Sequence, residues 1–297
     1  MTLSVFAPAK VNLSLAVGRP LLDGRHPLMS LAAFATVGDT LRLEPADRLT
    51  LRVIGPFAAS LEAEADNLVV RAARALSAAA GRQQRGATLT LEKNLPVASG
   101  IGGGSADAAA ALRGLNALWG LGFDAESLAE VATTLGADVP VCVRCVPALM
   151  QGTGETVTAF AMPRLDAVLV NPGVPAATGA VYKQFDALAL GEGFEPGAVP
   201  PQWETASQAL RALAGLGNDL TAPAMAVAPA IADVMERLRH DPRAQIVRLS
   251  GSGATVFALA EGAAAAQAIA QDLAAEARGW WVAPAQLGAV DAHPRAV

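Results

Sequence analysis

The sequence predicts an α+β protein of two domains that meet near Met150–Met162. Three observations carry that expectation. Apolar residues repeat with period two in some segments and with helical spacing in others, so both element types are present. The two types fall into mixed groups without a regular strand–helix–strand rhythm, which disfavours a doubly wound parallel sheet. After about Phe160 the pattern resets, so residues 1–155 are assigned to an N-terminal domain and 156–297 to a C-terminal one. With 53% hydrophobic and only 4% aromatic residues, the core must be built from Ala, Leu and Val.

Lys10–Val17 alternates, with Val11, Leu13, Leu15 and Val17 on one face and Lys10, Asn12, Ser14 and Ala16 on the other. A half-buried strand results, presenting Lys10 and Asn12 together. Further strands are expected at Thr40–Leu43, Leu49–Ile54 and Ala87–Glu92. Asn67–Ala80 reads as a helix with Asp66 or Asn67 as N-cap. After Ser105, the positions Ala108, Ala111, Leu112, Leu115, Leu118 and Trp119 follow helical spacing. Ser105 suits the N-cap of that helix, and Asp107 its first turn. A helix from Asp124 to Leu135 ends at Gly136, and Pro140 favours extended backbone at Val139. In the C-terminal part, DAVLVNP reads as a strand and Leu190–Trp203 as a Gly/Pro-rich loop. An amphipathic helix carries Ile231, Val234, Met235 and Leu238. Two strands flank SGSG near Ser250, an Ala-rich helix follows, and GWWVAP is the last strand.

Charge and composition exclude several classes. A net charge of −5 disfavours a general nucleic-acid binder, which needs a basic surface. The apolar stretch Ala254–Ala277 is interrupted by Glu261, Gly262, Gln267 and Asp272, so no membrane span is expected. The N-terminus lacks a basic region and a cleavage-type ending, which points to a cytoplasmic protein. Cys142 and Cys145 cannot form a disulfide framework; placed on a strand, their spacing would put the thiols on opposite faces, against a redox or zinc pair.

The most unusual composition is LPVASGIGGGSADAAAALRGLNALW, where Gly100, Gly102, Gly103 and Gly104 crowd a strand-to-helix junction. Each ordered glycine costs roughly 0.5–1 kcal/mol relative to alanine. A backbone without Cβ atoms can wrap an anion and aim N–H groups at it, which gives the cluster a reason; a mobile surface loop is the bland alternative. Walker loops have Lys then Ser/Thr after the last glycine, whereas here Ser105 and Ala106 follow. Counting from Gly100, a dinucleotide fingerprint fails at Ser105. Protein-kinase triplets are absent.

With those excluded, PVASGIGGGSADA resembles the phosphate loop of the galactokinase, homoserine, mevalonate and phosphomevalonate kinase superfamily. PAKVNLSLAV, DGRHPLMSL, DNLVVRAARAL, LGADVPVCV, GTGE, NPGVPAATGAVYK, NDL and RLSGSGATVFAL follow in family order. Together they resemble the branch that phosphorylates a cytidine diphosphate-linked methylerythritol in the non-mevalonate route to isoprenoids. The resemblance implies a two-domain kinase with ATP and substrate in the cleft between domains, ATP and Mg2+ as cofactors, and a monomer or homodimer. DGRHPLMSL and NPGVPAATGAVYK separate this branch from homoserine or mevalonate kinases. Lys10 and Asp138 speak against a regulator without catalysis.

By the same resemblance, Lys10 and Asp138 are the catalytic pair, the Asp orienting or taking the hydroxyl's proton and the Lys steadying charge on oxygen. Alone, Lys10 reads equally as a solvated strand lysine and Asp138 as a turn aspartate. The triphosphate falls to Pro96, Val97, Ala98, Ser99, Gly100, Ile101, Gly102, Gly103, Gly104, Ser105 and Ala106. Asp66, Asn67 and Lys93 resemble adenine-pocket positions, though they also read as a cap and a surface charge. Ser105 is the metal candidate beside its reading as N-cap. Asn12, His26 and Tyr182 match the cytidine end. The family motif D-G-Y-H appears here as Asp23, Gly24, Arg25 and His26, so Arg25 is expected either to stack on the base or to point to solvent. The Ser250–Thr255 turn resembles the family's C-terminal glycine motif, which faces the active site; in isolation it reads equally as a tight turn. Gly152 and Gly154 give a weaker version of the same signal.

Overall fold

A computed structural model describes the chain except residues 62–66, 82–84, 196, 198–201 and 277–278. Asp66, one of the adenine-pocket expectations, lies outside the described residues.

The chain begins as a long antiparallel pair, β1 (Leu3–Val17) and β2 (Leu28–Pro45), in register from Leu3↔Leu43 to Val17↔Leu28. The register shifts between Pro8 and Lys10 and again between Asn12 and Ser14, as bulges that re-aim side chains do. Val5 and Ala7 enter one core, Val11 and Leu13 a second, and Leu15 and Val17 a third. This corrects the half-buried expectation: Lys10, Asn12 and Ser14 are buried too. It also corrects the length of the expected Thr40–Leu43 strand. β2 runs 18 residues because its segments pair with different neighbours.

β3 (Leu49–Ile54) and β4 (Ala87–Glu92) pair in parallel, with α1 (Leu68–Ala79) between them in sequence. α2 (Gly103–Trp119), α3 (Ala125–Thr133) and α4 (Val139–Arg144) follow. Asp124 caps α3 by accepting from Ser127 N–H, as expected. The extended backbone expected at Val139 is instead the start of α4. Pro140 sits in its first turn, where no N–H is required. Cys142 and Cys145 are thus on a helix and its C-cap, not on a strand, and both are buried free thiols. Alanines along α2 let it pack closely against β1 and β2, where each buried Leu, such as Leu112 and Leu115, contributes about 2 kcal/mol.

The rest comprises β5 (Ala148–Gln151), β6 (Thr156–Ala159), β7 (Leu165–Asn171), α5 (Thr178–Ala187), α6 (Ala206–Ala214), α7 (Thr221–Val227) and α8 (Ala230–Arg239). Then come β8 (Ala244–Leu249), β9 (Val256–Ala260), α9 (Ala263–Glu276) and β10 (Trp281–Gly288). A further short strand, β11 (Arg295–Ala296), pairs with Leu3 and Ser4, so the GWWVAP strand is not the last. The strands join in one sheet whose main path is β11-β1-β2-β10-β7-β9-β8, with β4 and β5 also on β2.

Candidate active site

The glycine-rich loop leaves β4 and enters α2 at Gly102. Gly100 and Gly102 have φ of +75° and +62°, a region that favours glycine. A Cβ on Gly100 would lie 2.3 Å from Ser250 O and 2.6 Å from Gly253 N, because two turns pack backbone to backbone here. Ala98 also adopts a positive φ, +50°. Gly102 is the N-cap of α2 and no side chain caps the helix, which leaves its first N–H groups for an anion. Ser105 is therefore not the N-cap; it sits one turn inside, facing the cleft.

Lys10 crosses this loop. Its N–H donates to Ile101 O at 2.9 Å, and a Cβ on Gly102 would lie 3.2 Å from its own Cβ. Its Nζ donates to Asp138 Oδ1 at 2.8 Å. The Lys10 side chain is 4% exposed and that of Asp138 41%, so the ammonium is enclosed while the carboxylate is open to the cleft. That rules out the solvated-lysine reading. Asp138 caps α4 by position but makes no capping bond, so its side chain is free for Lys10.

Ser250 holds the SGSG turn to the loop. Its hydroxyl accepts from Asn12 N–H at 3.1 Å and donates to Gly100 O at 2.9 Å. Thr255 N–H donates to Ser99 O at 3.0 Å. Asn12 Nδ2 donates to Ser30 Oγ at 2.6 Å.

Lys93 lines the cleft but is not the surface charge that its isolated reading offered. Its ammonium is buried between Asp39 (2.5 Å) and Asp107 (2.8 Å). Burial would lower Lys93, but the two carboxylates outweigh it and hold the ammonium above its ordinary value. Asp107 is pushed up to about 7, chiefly by burial, with Lys93 pulling down and Asp39 pushing up. Asp107 belongs to this cluster and not to the exposed first turn of α2. Asp39, unforeseen in the sequence, also accepts from Asn94 and Leu95 N–H at 2.6 and 2.8 Å and so anchors the loop's entry. Asn67 caps α1 through Val69 N–H while lining the cleft.

One cleft of about 640 Å³ collects Lys10, Asn12, Asn67, Lys93, Pro96–Gly100, Gly102–Ser105, Asp138 and Tyr182. Ile101 and Ala106 are buried beneath it and can offer only backbone. Tyr182 is pushed up to about 12 by burial and by the nearby Asp138. His26 packs on Tyr182 with ring centroids 4.8 Å apart. The Arg25 guanidinium is exposed yet tethered, pairing with Asp23 at 2.8 Å and donating to Thr153 Oγ1 at 3.0 Å. Its guanidinium faces solvent while Asp23 and Thr153 of the GTGE turn hold it. Cys142 lies behind the Lys10–Asp138 pair, and burial pushes its thiol well up. Among the described residues, no group of three or more His, Cys, Asp or Glu could hold a metal.

Sequence models of the GHMP kinase N-terminal and C-terminal domains match residues 67–145 and 198–279. A 4-diphosphocytidyl-2-C-methyl-D-erythritol kinase of Hyphomonas neptunium is 50% identical over 293 residues, covering 97% of each chain. One of Ruegeria pomeroyi is 48% identical, over 95% of this chain and 98% of its own. The crystal structure of a 4-(cytidine 5'-diphospho)-2C-methyl-D-erythritol kinase superposes with a TM-score of 0.76 at 35% identity, over 97% of this chain and 100% of that one. A homoserine kinase from Cytophaga hutchinsonii shares the fold at 22% identity and a TM-score of 0.65, over 100% and 97%. A glycine loop opening α2, an enclosed Lys–Asp pair beside it and half of all residues shared with such a relative lead to one conclusion: the chain belongs to the GHMP kinases, in the 4-diphosphocytidyl-2-C-methyl-D-erythritol kinase family.

Proposed function

We propose that the protein is an ATP-dependent kinase acting on the 2-hydroxyl of 4-diphosphocytidyl-2-C-methyl-D-erythritol, a step toward isoprenoid precursors. The observation that carries this reading is the 2.8 Å Lys10–Asp138 pair beside the Gly102 backbone. ATP supplies the phosphoryl group: its terminal P–O bond breaks as the substrate oxygen–phosphorus bond forms. Asp138 orients the acceptor hydroxyl and takes its proton, while Lys10 offsets charge on the transferring oxygens. The loop backbone and the start of α2 cradle the phosphates.

Magnesium fits this donor set as an ion held mainly by phosphates and water. The Ser105 hydroxyl, with the Asp138 carboxylate also lining the cleft, would serve it. Asn67 and the start of α1 suit the adenine side, and Asn12, His26 and Tyr182 the cytidine side. Division at 155/156 into an ATP-binding and a C-terminal domain, a cytoplasmic location and a monomer or homodimer complete the reading. No helix among the described residues is long and apolar enough to cross a membrane.

The test is ADP release with the cytidylyl-erythritol substrate, compared with homoserine and mevalonate. Turnover of the cytidylyl compound is expected; activity on homoserine alone would overturn the assignment.

A further inference from the structure

One pair of side chains near the cleft has no part in phosphoryl transfer. His26 and Asp186 lie 160 residues apart, yet His26 Nε2 is 2.8 Å from Asp186 Oδ1. The imidazole is nearly enclosed, with 6% of the side chain exposed. Tyr182 packs against its ring at 44° and Phe185 meets it edge-on at 5.8 Å. Tyr182, Phe185 and Asp186 all come from α5, so one helix supplies both the packing and the carboxylate.

A carboxylate only accepts hydrogen bonds, so the shared hydrogen belongs to Nε2. In the neutral ring, Nδ1 then keeps its lone pair. No group among the described residues bonds Nδ1, which leaves it for a ligand.

We propose that Asp186 is a positioning residue that sets base specificity, holding His26 in the Nε2–H tautomer so that Nδ1 accepts from a nucleobase amino group. This rests on the cytidine reading above and deepens it. Cytosine carries an amino group at C4 where uracil carries a carbonyl. A lone pair fixed at Nδ1 welcomes the first and repels the second. Discrimination of this kind comes from leaving a polar group unpaired with the wrong ligand. The ring cannot adapt by exchanging its hydrogen while Asp186 holds Nε2–H.

The experiment has two arms. Nitrogen-15 NMR of the free wild-type protein at about pH 8 reads the tautomer, with His26→Asn assigning the signal among three histidines. Steady-state kinetics then compare the cytidine-linked substrate with its uridine-linked analogue for wild type, Asp186→Ala, Asp186→Asn and Asp186→Glu. Expected are an Nε2–H signal in the wild type and a cytidine-over-uridine kcat/KM ratio that falls about tenfold in Asp186→Ala. The loss should lie in KM for the nucleotide substrate, with KM for ATP unchanged. Asp186→Asn, whose amide can donate to Nε2 and move the hydrogen to Nδ1, should favour uridine further. Asp186→Glu should restore part of the ratio. A hydrogen on Nδ1 in the free wild type overturns the proposal, as does an unchanged ratio in active Ala and Asn variants. An Nε2–H wild type that turns over neither substrate overturns the kinase reading instead.

Discussion

In the proposed reaction Asp138 takes the hydroxyl's proton, and its neutral isostere tests that role. Asp138→Asn keeps the volume and a contact to Lys10 but cannot take a proton. We expect kcat to fall roughly 100- to 10,000-fold with KM values little changed; near-normal turnover would remove Asp138 from catalysis. Asp107 provides a second test at this scale. Its folded-state value of about 7 lies above the ordinary 3.8, so between those values the folded state holds a proton that the unfolded chain has released. Stability contributed by that proton is present at low pH and is lost as pH rises toward 7, with a slope of at most about 1.4 kcal/mol per pH unit. Asp107→Asn should flatten thermal-midpoint curves between about pH 4.5 and 7, and an unaltered slope would place the proton elsewhere. Lys10, Asp138 and His26 were legible through their motifs. Asp39 and Asp186 were not, because a single carboxylate in a strand or helix has no local pattern that reveals its partner.

The decisive element is the junction from β4 through the glycine loop into α2. Its glycine content was plain in the sequence, but the reason for each glycine was not. Gly103 and Gly104 are ordinary helical residues here, whereas Gly100 and Gly102 occupy the left-handed region. Gly102→Ala should lose about 1–2 kcal/mol of stability and raise KM for ATP, as its Cβ presses on Lys10. Gly100→Ala should be worse, since its Cβ would meet three backbone atoms closer than 3 Å. Chemical denaturation of both variants checks the order, and equal midpoints would refute it. Boundaries of β3, β4 and α3 follow local propensity and capping. α4 did not follow the simple reading of Pro140, because proline before a strand and proline in a helix's first turn look alike in sequence.

At the scale of the molecule, the site is a meeting of distant segments. β1 brings Lys10 and Asn12, the loop brings Gly100, and the turn after β8 brings Ser250. Ser250→Ala removes one hydroxyl serving two of these segments, across 238 and 150 residues. We expect a loss of about 1–3 kcal/mol, read from the urea midpoint, together with a raised KM for ATP. An unshifted midpoint would show that the turn and the loop are not energetically coupled. The two register shifts between β1 and β2 are equally global, lying along a strand whose apolar residues enter three cores. Period-two alternation read from the sequence could not show this, since a bulge is defined by the partner strand.

By itself the sequence determined the element types, the glycine loop and the residue kinds a phosphoryl-transfer site needs, because propensity, capping and backbone freedom act over a few neighbouring residues. Only the tertiary structure decided which charges meet. Lys93 was drawn into a buried pair of carboxylates, Arg25 was tethered at the rim, and Lys10 was left facing Asp138. Desolvation and Coulomb attraction depend on distance in space, and separation along the chain does not encode that distance.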